Sequence, residues 1–347
     1  MFIIRADGNA KIGAGHMMRC LTIADALGRQ MEDGRKILFV CADGQSAELA
    51  RNRGYEAFAL ESGTGRPEAE LPLWHRIPGI EKEPNEILVD SYFVTDWYLR
   101  EIGKYGRVTL LDDMGVKCFP VSRIINYNAF ADRPHYEQLY RNTDTELVLG
   151  SAYVPLRPQF HGKSYCVRER AEDILITTGG GDSDNIAGRI LKRLETAAGD
   201  GIDYHLVIGN FNPHFQEMRA LEESHSNIHI HHNVRDMAGL MEQCDLAVTA
   251  GGSTVYELAA LGVPFVCFSY AENQEKLTDF LGREGIALSA GAYHKDPDGV
   301  LNRITEQVTT LIGSRELRDG CHSREKKLTD GLGAVRLVKI LAARQGE

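Results

Sequence analysis

Short β-rich runs alternate with helical patterns along the whole chain, and this alternation constrains the fold more than any other feature. FIIRA (2–6), KILFVCA (36–42), YEAFAL (55–60), EILVD (86–90), RVTLLDD (107–113) and RIINYN (123–128) read as strands. Between them, HMMRCLTIADALGRQ (16–30) carries Met17, Leu21, Ala24 and Leu27 at helical spacing, and VTDWYLREIGKYG (94–106) is a second helix. Such a pattern predicts a parallel sheet covered on both faces by helices.

The pattern lapses over SAYVPLRPQFHGKSYCVRERAE (151–172), with two prolines and a cluster of charge, and then begins again. DILITTGGG (173–181), YHLVIG (204–209), NIHIHH (227–232), DLAVTAGG (245–252) and PFVCFSY (264–270) read as a second set of strands, with helices such as VRDMAGLMEQC (234–244), STVYELAALG (253–262) and QEKLTDFLGREG (274–285). At 347 residues the chain is too long for one core. The expected architecture is α/β: two doubly wound Rossmann-like domains facing across a cleft. An N-terminal domain is expected over 1–155, a linker over 156–172 and a C-terminal domain over 173–347, whose last helix, GAVRLVKILAAR, packs back across the cleft. Ligands of such sheets bind at the carboxyl ends of strands, so function is sought in the loops that follow them.

Composition narrows the partners. A net charge of -10, without a basic run, argues against nucleic acid. No stretch approaches the ~20 apolar residues of a membrane span, and MFIIRADGNA meets charge and glycine too early for a signal-peptide core. The seven cysteines are scattered and free of C-x-x-C spacing, as in a reduced cytosolic protein. An anionic small molecule is not excluded, because helix N-termini bind phosphate locally whatever the global charge.

Two stretches carry candidate chemistry. In KIGAGHMMRC (11–20) a strand hands over to a helix through Gly13 and Gly15, which leave the backbone open to a ligand. This is neither a Walker A loop nor G-x-G-x-x-G. His16 opens the helix, where the dipole disfavours the imidazolium; it reads either as a general base for water or as a helix cap. Arg19, one turn on, faces the same way and reads either as a substrate-phosphate contact or as a tie from the helix to the next loop. In TAGGSTVYELAALGVPFVCFS (249–269), Gly251 and Gly252 end a buried strand and Ser253 or Thr254 opens a helix as N-cap, leaving amides for an anion. Glu257 then either accepts from vicinal hydroxyls or closes the capping box T-V-Y-E from Thr254. Asn273 and Gln274 fall at the end of the next strand.

Further candidates sit at other strand ends. Asp112 and Asp113 suit sugar hydroxyls or a solvated loop. Asn126 and Asn128 suit N-acetyl groups, and GGGDSDN (179–185) suits a sugar or phosphate, or a turn alone. His229, His231 and His232 look like a metal cluster but read better as the polar face of a strand, and no metal or cofactor is expected.

The segment around Gly252, Ser253, Thr254 and Glu257 resembles the nucleotide-binding signature of GT-B glycosyltransferases, the group that includes MurG, where a glycine–serine helix start holds UDP and a glutamate bonds the ribose. With I-G-A-G-H-M-M-R, V-D-S-Y-F-V, L-L-D-D-M and I-N-Y-N, the whole chain resembles the PseG family of UDP-sugar hydrolases and its SpsG relatives. The resemblance implies a UDP-linked 2,4-diacetamido-2,4,6-trideoxyhexose as substrate and UDP and the free sugar as products, feeding pseudaminic acid or related surface-polysaccharide synthesis. It implies His16 as the base and maps a nearby tyrosine onto Tyr92, although the family's D-H-Y-G reads D-S-Y-F here. Two rival readings stand beside it: a glycosyltransferase of the same fold, and a UDP-sugar-binding protein without catalysis.

Overall fold

The computed structural model describes residues 1–9, 12–13, 15–30, 34–82, 85–163, 165–209 and 212–343, so Lys11 and Ala14 of the glycine–histidine motif lie outside the described residues. The chain divides into two compact units, Met1–Pro155 with the segment from Leu332 onward, and Leu156–Gly331.

The first unit is a seven-stranded sheet built from β1 (Phe2–Ala6), β2 (Ile37–Cys41), β3 (Glu56–Ala59), β4 (Asn85–Asp90), β5 (Gly106–Leu111), β6 (Arg123–Asn126) and β7 (Glu146–Leu149), in the order β3-β2-β1-β4-β5-β6-β7. All six pairings are parallel. β1 is buried throughout and lies between β2 and β4, with Phe2 opposite both Ile37 and Glu86. The strand order reverses between β1 and β4, which is where an open α/β sheet leaves a crevice for a ligand. Helix Gly15–Gln30 follows β1 and buries Met17, Cys20, Leu21, Ile23, Ala24 and Leu27, leaving His16 and Arg19 nearer the surface.

The second unit repeats the plan with β8 (Asp173–Thr177), β9 (Asp203–Ile208), β10 (Ile228–His232), β11 (Leu246–Ala250), β12 (Phe265–Ser269) and β13 (Leu288–Ala292), in the order β10-β9-β8-β11-β12-β13 and again all parallel. Its switch point lies between β8 and β11. The core combines Ile174, Ile176, Val248, Val266 and Phe268 of the sheet with Ile190, Leu194, Ile304 and Val308 of the covering helices.

Two strands escaped the sequence reading, β7 and β13, and each is the last strand at one edge of its sheet. β13 reads LSAGA, short of the branched and aromatic residues that mark a strand. Two further differences concern segment assignment. Helix Gly333–Ala342, assigned by sequence to the C-terminal domain, packs on helix Gly15–Gln30 and on the Ser151–Tyr153 turn of the first unit. Its approach is close: a Cβ on Gly333 would run into the Val154 carbonyl oxygen. The stretch from Leu156, read as a linker, is bonded into the second unit. Gln159 Oε1 accepts from the Ala238 amide (3.1 Å), Lys163 pairs with Glu242 (2.7 Å) and the Tyr165 hydroxyl donates to the Asp245 carbonyl (3.1 Å). Prolines and charge signal a loop but not whether it is anchored.

Candidate functional site

In the first unit the carboxyl end of β4 delivers Asp90 to the switch point beneath the start of helix Gly15–Gln30. Its side chain has no exposed surface, and it collects donors from three residues. His16 Nδ1 lies 2.6 Å from Oδ1, the Arg19 guanidinium reaches both oxygens through Nε and Nη2, and the Cys20 thiol donates at 3.6 Å. Burial alone would raise the Asp90 pKa, but the Arg19 charge and these hydrogen bonds outweigh it and hold the carboxyl well below the usual carboxylate range. An ionised carboxylate only accepts, and its 2.6 Å contact is much shorter than the 3.2 Å approach of Arg19 Nη2 to the same nitrogen, so the ring proton is assigned to Nδ1 and the lone pair to Nε2. Among the described residues, Nε2 makes no hydrogen bond.

Arg19 links this pair to the next two strands: Nη1 donates to Asp113 Oδ2 (2.8 Å) and to the Tyr127 hydroxyl (2.7 Å). Tyr92 meets the same Asp113 oxygen at 3.0 Å and sets its ring edge-on to His16, with centroids 4.6 Å apart. Partial burial and the Asp113 carboxylate push the Tyr92 phenol up, so it stays a neutral donor at physiological pH. Gly13 takes φ +79°, a conformation that favours glycine, and open space surrounds the Cβ position of both Gly13 and Gly15. The structure therefore gathers His16, Arg19 and Tyr92, as read from sequence, around Asp90, Asp113 and Tyr127.

Asp112, Asn126 and Asn128 differ from expectation. The Asp112 carboxylate faces its own turn, accepting from the amides of Met114 (3.0 Å) and Gly115 (3.1 Å) and from the Tyr136 hydroxyl (3.1 Å). Asn126 donates to Tyr136 (2.9 Å) and accepts from both the backbone and the side-chain amide of Asn128, whose side chain in turn donates to Asp113 (3.2 Å). These three residues brace the loop that carries Asp113 instead of presenting free groups to a sugar.

In the second unit β11 runs into Gly251 and Gly252, and helix Thr254–Leu261 begins. Among the described residues, the Ser253 and Thr254 amides have no hydrogen-bond partner, and they stand at the positive end of the helix. Ser253 occupies the N-cap position in helical geometry, without a side-chain capping bond. The capping box from Thr254 does not form either, because Glu257 Oε1 accepts from Arg157 Nη2 at 3.0 Å. Burial pushes the Glu257 carboxyl up, and Arg157 partly reverses the shift. Gly251 is sterically required, since a Cβ there would stand 2.5 Å from Thr278 Cγ2 and 3.3 Å from Gln274 Cβ. Gln274 turns its Oε1 back onto the Tyr270 amide (3.1 Å), and Asn273 is exposed beside it.

The glycine loop after β8 is organised by Asp182, whose carboxylate accepts from the amides of Ile186 (2.7 Å) and Ala187 (2.9 Å) and so caps helix Ile186–Ala197. Beside it lies a cavity of about 640 Å³, lined by Thr178, Asp182, Ser183, Tyr270, Tyr293 and His294 among others. The residues from Gly251 to Glu257 are not part of that lining. His229 and His231 stack with His205 on the sheet face, with His229 paired to Asp203 (2.7 Å) and His205 to Asp173 (3.0 Å). Among the described residues, no three or more His, Cys, Asp or Glu are arranged to hold a metal ion, and no helix is long and apolar enough to cross a membrane.

Residues 174–311 match the glycosyltransferase family 28 C-terminal domain. The spore coat polysaccharide biosynthesis protein SpsG of Bacillus subtilis is 25% identical over 344 residues, covering 97% of this chain and 96% of that protein. The UDP-2,4-diacetamido-2,4,6-trideoxy-beta-L-altropyranose hydrolase of Campylobacter jejuni is 24% identical over 286 residues, covering 82% and 96%. The crystal structure of Acinetobacter baumannii MurG superposes with a TM-score of 0.69 at 16% identity, over 98% of this chain and 99% of that one.

Proposed function

From the premise that the chain belongs to the PseG/SpsG family and has the GT-B fold, we propose that it hydrolyses a UDP-linked 2,4-diacetamido-2,4,6-trideoxyhexose to UDP and the free sugar. The observation that carries this reading is the buried Asp90 carboxylate on His16 Nδ1, 2.6 Å away, which leaves Nε2 as the acceptor for a proton. UDP is a good leaving group, so the reaction needs little acid assistance. It needs a base to direct water at the anomeric carbon and donors to receive charge growing on the phosphate.

His16 takes the first role. As water attacks C1 and the C1–O bond to UDP breaks, the water's proton passes to Nε2. The ring becomes an imidazolium whose charge is stabilised by Asp90, and Arg19 keeps Asp90 ionised and in place. Tyr92 and Asp113 offer polar contacts to the sugar beside the ring. The amides of Ser253 and Thr254 and the helix behind them suit the diphosphate, Glu257 suits the ribose hydroxyls, and Gly251, Gly252, Asn273 and Gln274 complete the nucleotide contacts. The reading requires no metal, and turnover is expected to survive EDTA.

UDP release in oxygen-18 water tests the reading. Label on the sugar is the expected result; label on UDP means attack at phosphorus and removes His16 from its role. Release only when an acceptor is added would indicate a transferase. His16→Ala is expected to lower turnover by roughly 10²–10⁴-fold with UDP affinity nearly unchanged, and equal losses in both would overturn the base assignment.

A further inference from the structure

We propose that Arg157 is a positioning residue for nucleotide binding: it holds one oxygen of Glu257 so that the other meets the vicinal hydroxyls of a ribonucleotide. The inference rests on the reading of Glu257 as the ribose contact and adds the residue that makes that contact possible.

Glu257 sits one turn into helix Thr254–Leu261 with its side chain 14% exposed. A carboxyl so buried tends to take up a proton, and a carboxylic acid is a poorer acceptor for two hydroxyls than a carboxylate. Arg157 supplies the compensating charge. Its Nη2 donates to Oε1 alone, at 3.0 Å, and among the described residues Oε2 makes no hydrogen bond. One oxygen is thus anchored and the other left to accept.

Arg157 is itself anchored, which separates this pair from a solvated surface bridge. Its guanidinium carbon stands 5.4 Å from the ring centroid of Phe160, which is fully buried. The Pro158–Phe160 turn packs on helices Thr254–Leu261 and Met237–Gln243, and Gln159 fastens it to the Ala238 amide. Gly331 closes the other side, where a Cβ would stand 2.6 Å from the Phe160 carbonyl oxygen. The guanidinium therefore approaches Glu257 from a fixed base.

The test is calorimetric binding of UDP and of 2′,3′-dideoxy-UDP to the full chain and to Arg157→Ala, Arg157→Lys and Glu257→Ala, with thermal melting of each. The wild type is expected to prefer UDP by on the order of ten-fold or more, the scale of a hydrogen bond to a charged group. Arg157→Ala should bring the preference close to one, while dideoxy-UDP binds almost as before and the melting temperature holds. Arg157→Lys should retain part of it, because an ammonium restores the charge without the planar fork; it also stands in if the alanine variant does not fold. If Arg157→Ala keeps the full preference while Glu257→Ala loses it, the positioning role is wrong and the ribose contact survives. If Glu257→Ala keeps it, or the wild type shows none, the ribose contact itself falls.

Discussion

The two units place their first and fourth strands side by side, β1 with β4 and β8 with β11, and then furnish the two crevices with opposite chemistry. In the first, β4 ends in a carboxylate without exposed surface that holds a histidine and an arginine, so proton position and charge are fixed by side chains. In the second, two glycines follow β11 and the helix beyond has two backbone amides without a partner among the described residues, so the positive field belongs to the main chain. Topology thus supplies a place and the residue at the strand end supplies the chemistry. On the function proposed above, one crevice moves a proton and the other holds an anion. Substitutions should therefore separate turnover from UDP affinity.

The largest separation is expected from Asp90→Asn. An amide can offer its own N–H to His16 Nδ1, which moves the ring proton to Nε2 and removes the base. Turnover should fall by about 10²–10⁴-fold, as for other histidines deprived of their orienting carboxylate. The UDP dissociation constant should move by no more than a few-fold. Adding His16→Ala should cost little further, because the two residues act as a unit. A UDP affinity that falls as far as turnover would erase the distinction between the crevices.

The converse is Gly251→Ala, which acts on the anion side. The new methyl would meet Thr278 Cγ2 at 2.5 Å, in a core where Thr278 has no exposure. Overpacking of this kind costs about 1–3 kcal/mol. The shift should displace the Gly252–Thr254 turn and raise the UDP dissociation constant, by on the order of ten-fold. Thr278→Ser removes the offending methyl but keeps the hydroxyl that donates to the Glu275 carbonyl (3.1 Å). The pair Gly251→Ala with Thr278→Ser should therefore recover much of the affinity; failure to recover would mean that the loss does not come from this contact.

The crevice of the glycine–helix turn is more legible in the sequence than the crevice around Asp90. Gly251, Gly252 and the helix start are contiguous, so local pattern suffices. Asp90 is 71 positions from Arg19, and only the pairing of β1 with β4 brings them together. A signal was present: the run EILV ends in an aspartate where a fourth strand should flank the first. The choice between Asp112 and Asp113 had no such signal, because successive side chains leave a strand in opposite directions and the sequence does not say which faces the crevice. Arg157 was hidden by its setting, a stretch whose prolines read as a linker.

A smaller effect should follow Tyr92→Phe. It deletes the hydroxyl that donates to Asp113 at 3.0 Å and keeps the ring against His16. Arg19 and Asn128 still hold Asp113, so turnover should fall by about five- to ten-fold, the worth of one hydrogen bond. A loss as large as that of Asp90→Asn, measured in the same steady-state assay, would make the hydroxyl a participant in the chemistry instead of a contact.

The smallest change tests whether a buried carboxyl matters by burial or by partners. Glu325, on helix Arg315–Leu328 of the second unit, is as buried as Asp90, yet among the described residues no side chain hydrogen-bonds its carboxyl. Burial pushes its pKa well up, only partly relieved by the Phe265 backbone and Arg324. The signs of the two groups are therefore opposite. Asp90, with a lowered folded pKa, stabilises the fold above its unfolded value near ~4 and loses that contribution as pH falls toward the folded value. Glu325, with a raised folded pKa, holds its proton in the folded state after the unfolded state has released it. Stability declines as pH climbs from about 4.3 toward the folded pKa, by about 1.4 kcal/mol for each unit of separation. Glu325→Gln removes that slope. Its melting temperature should exceed the wild type's by a margin that widens from pH 5 to pH 8, on the order of a few degrees, with turnover unchanged. Melting curves that stay parallel across that range would mean Glu325 is ionised in the folded chain, and its lack of side-chain partners would no longer distinguish it from Asp90.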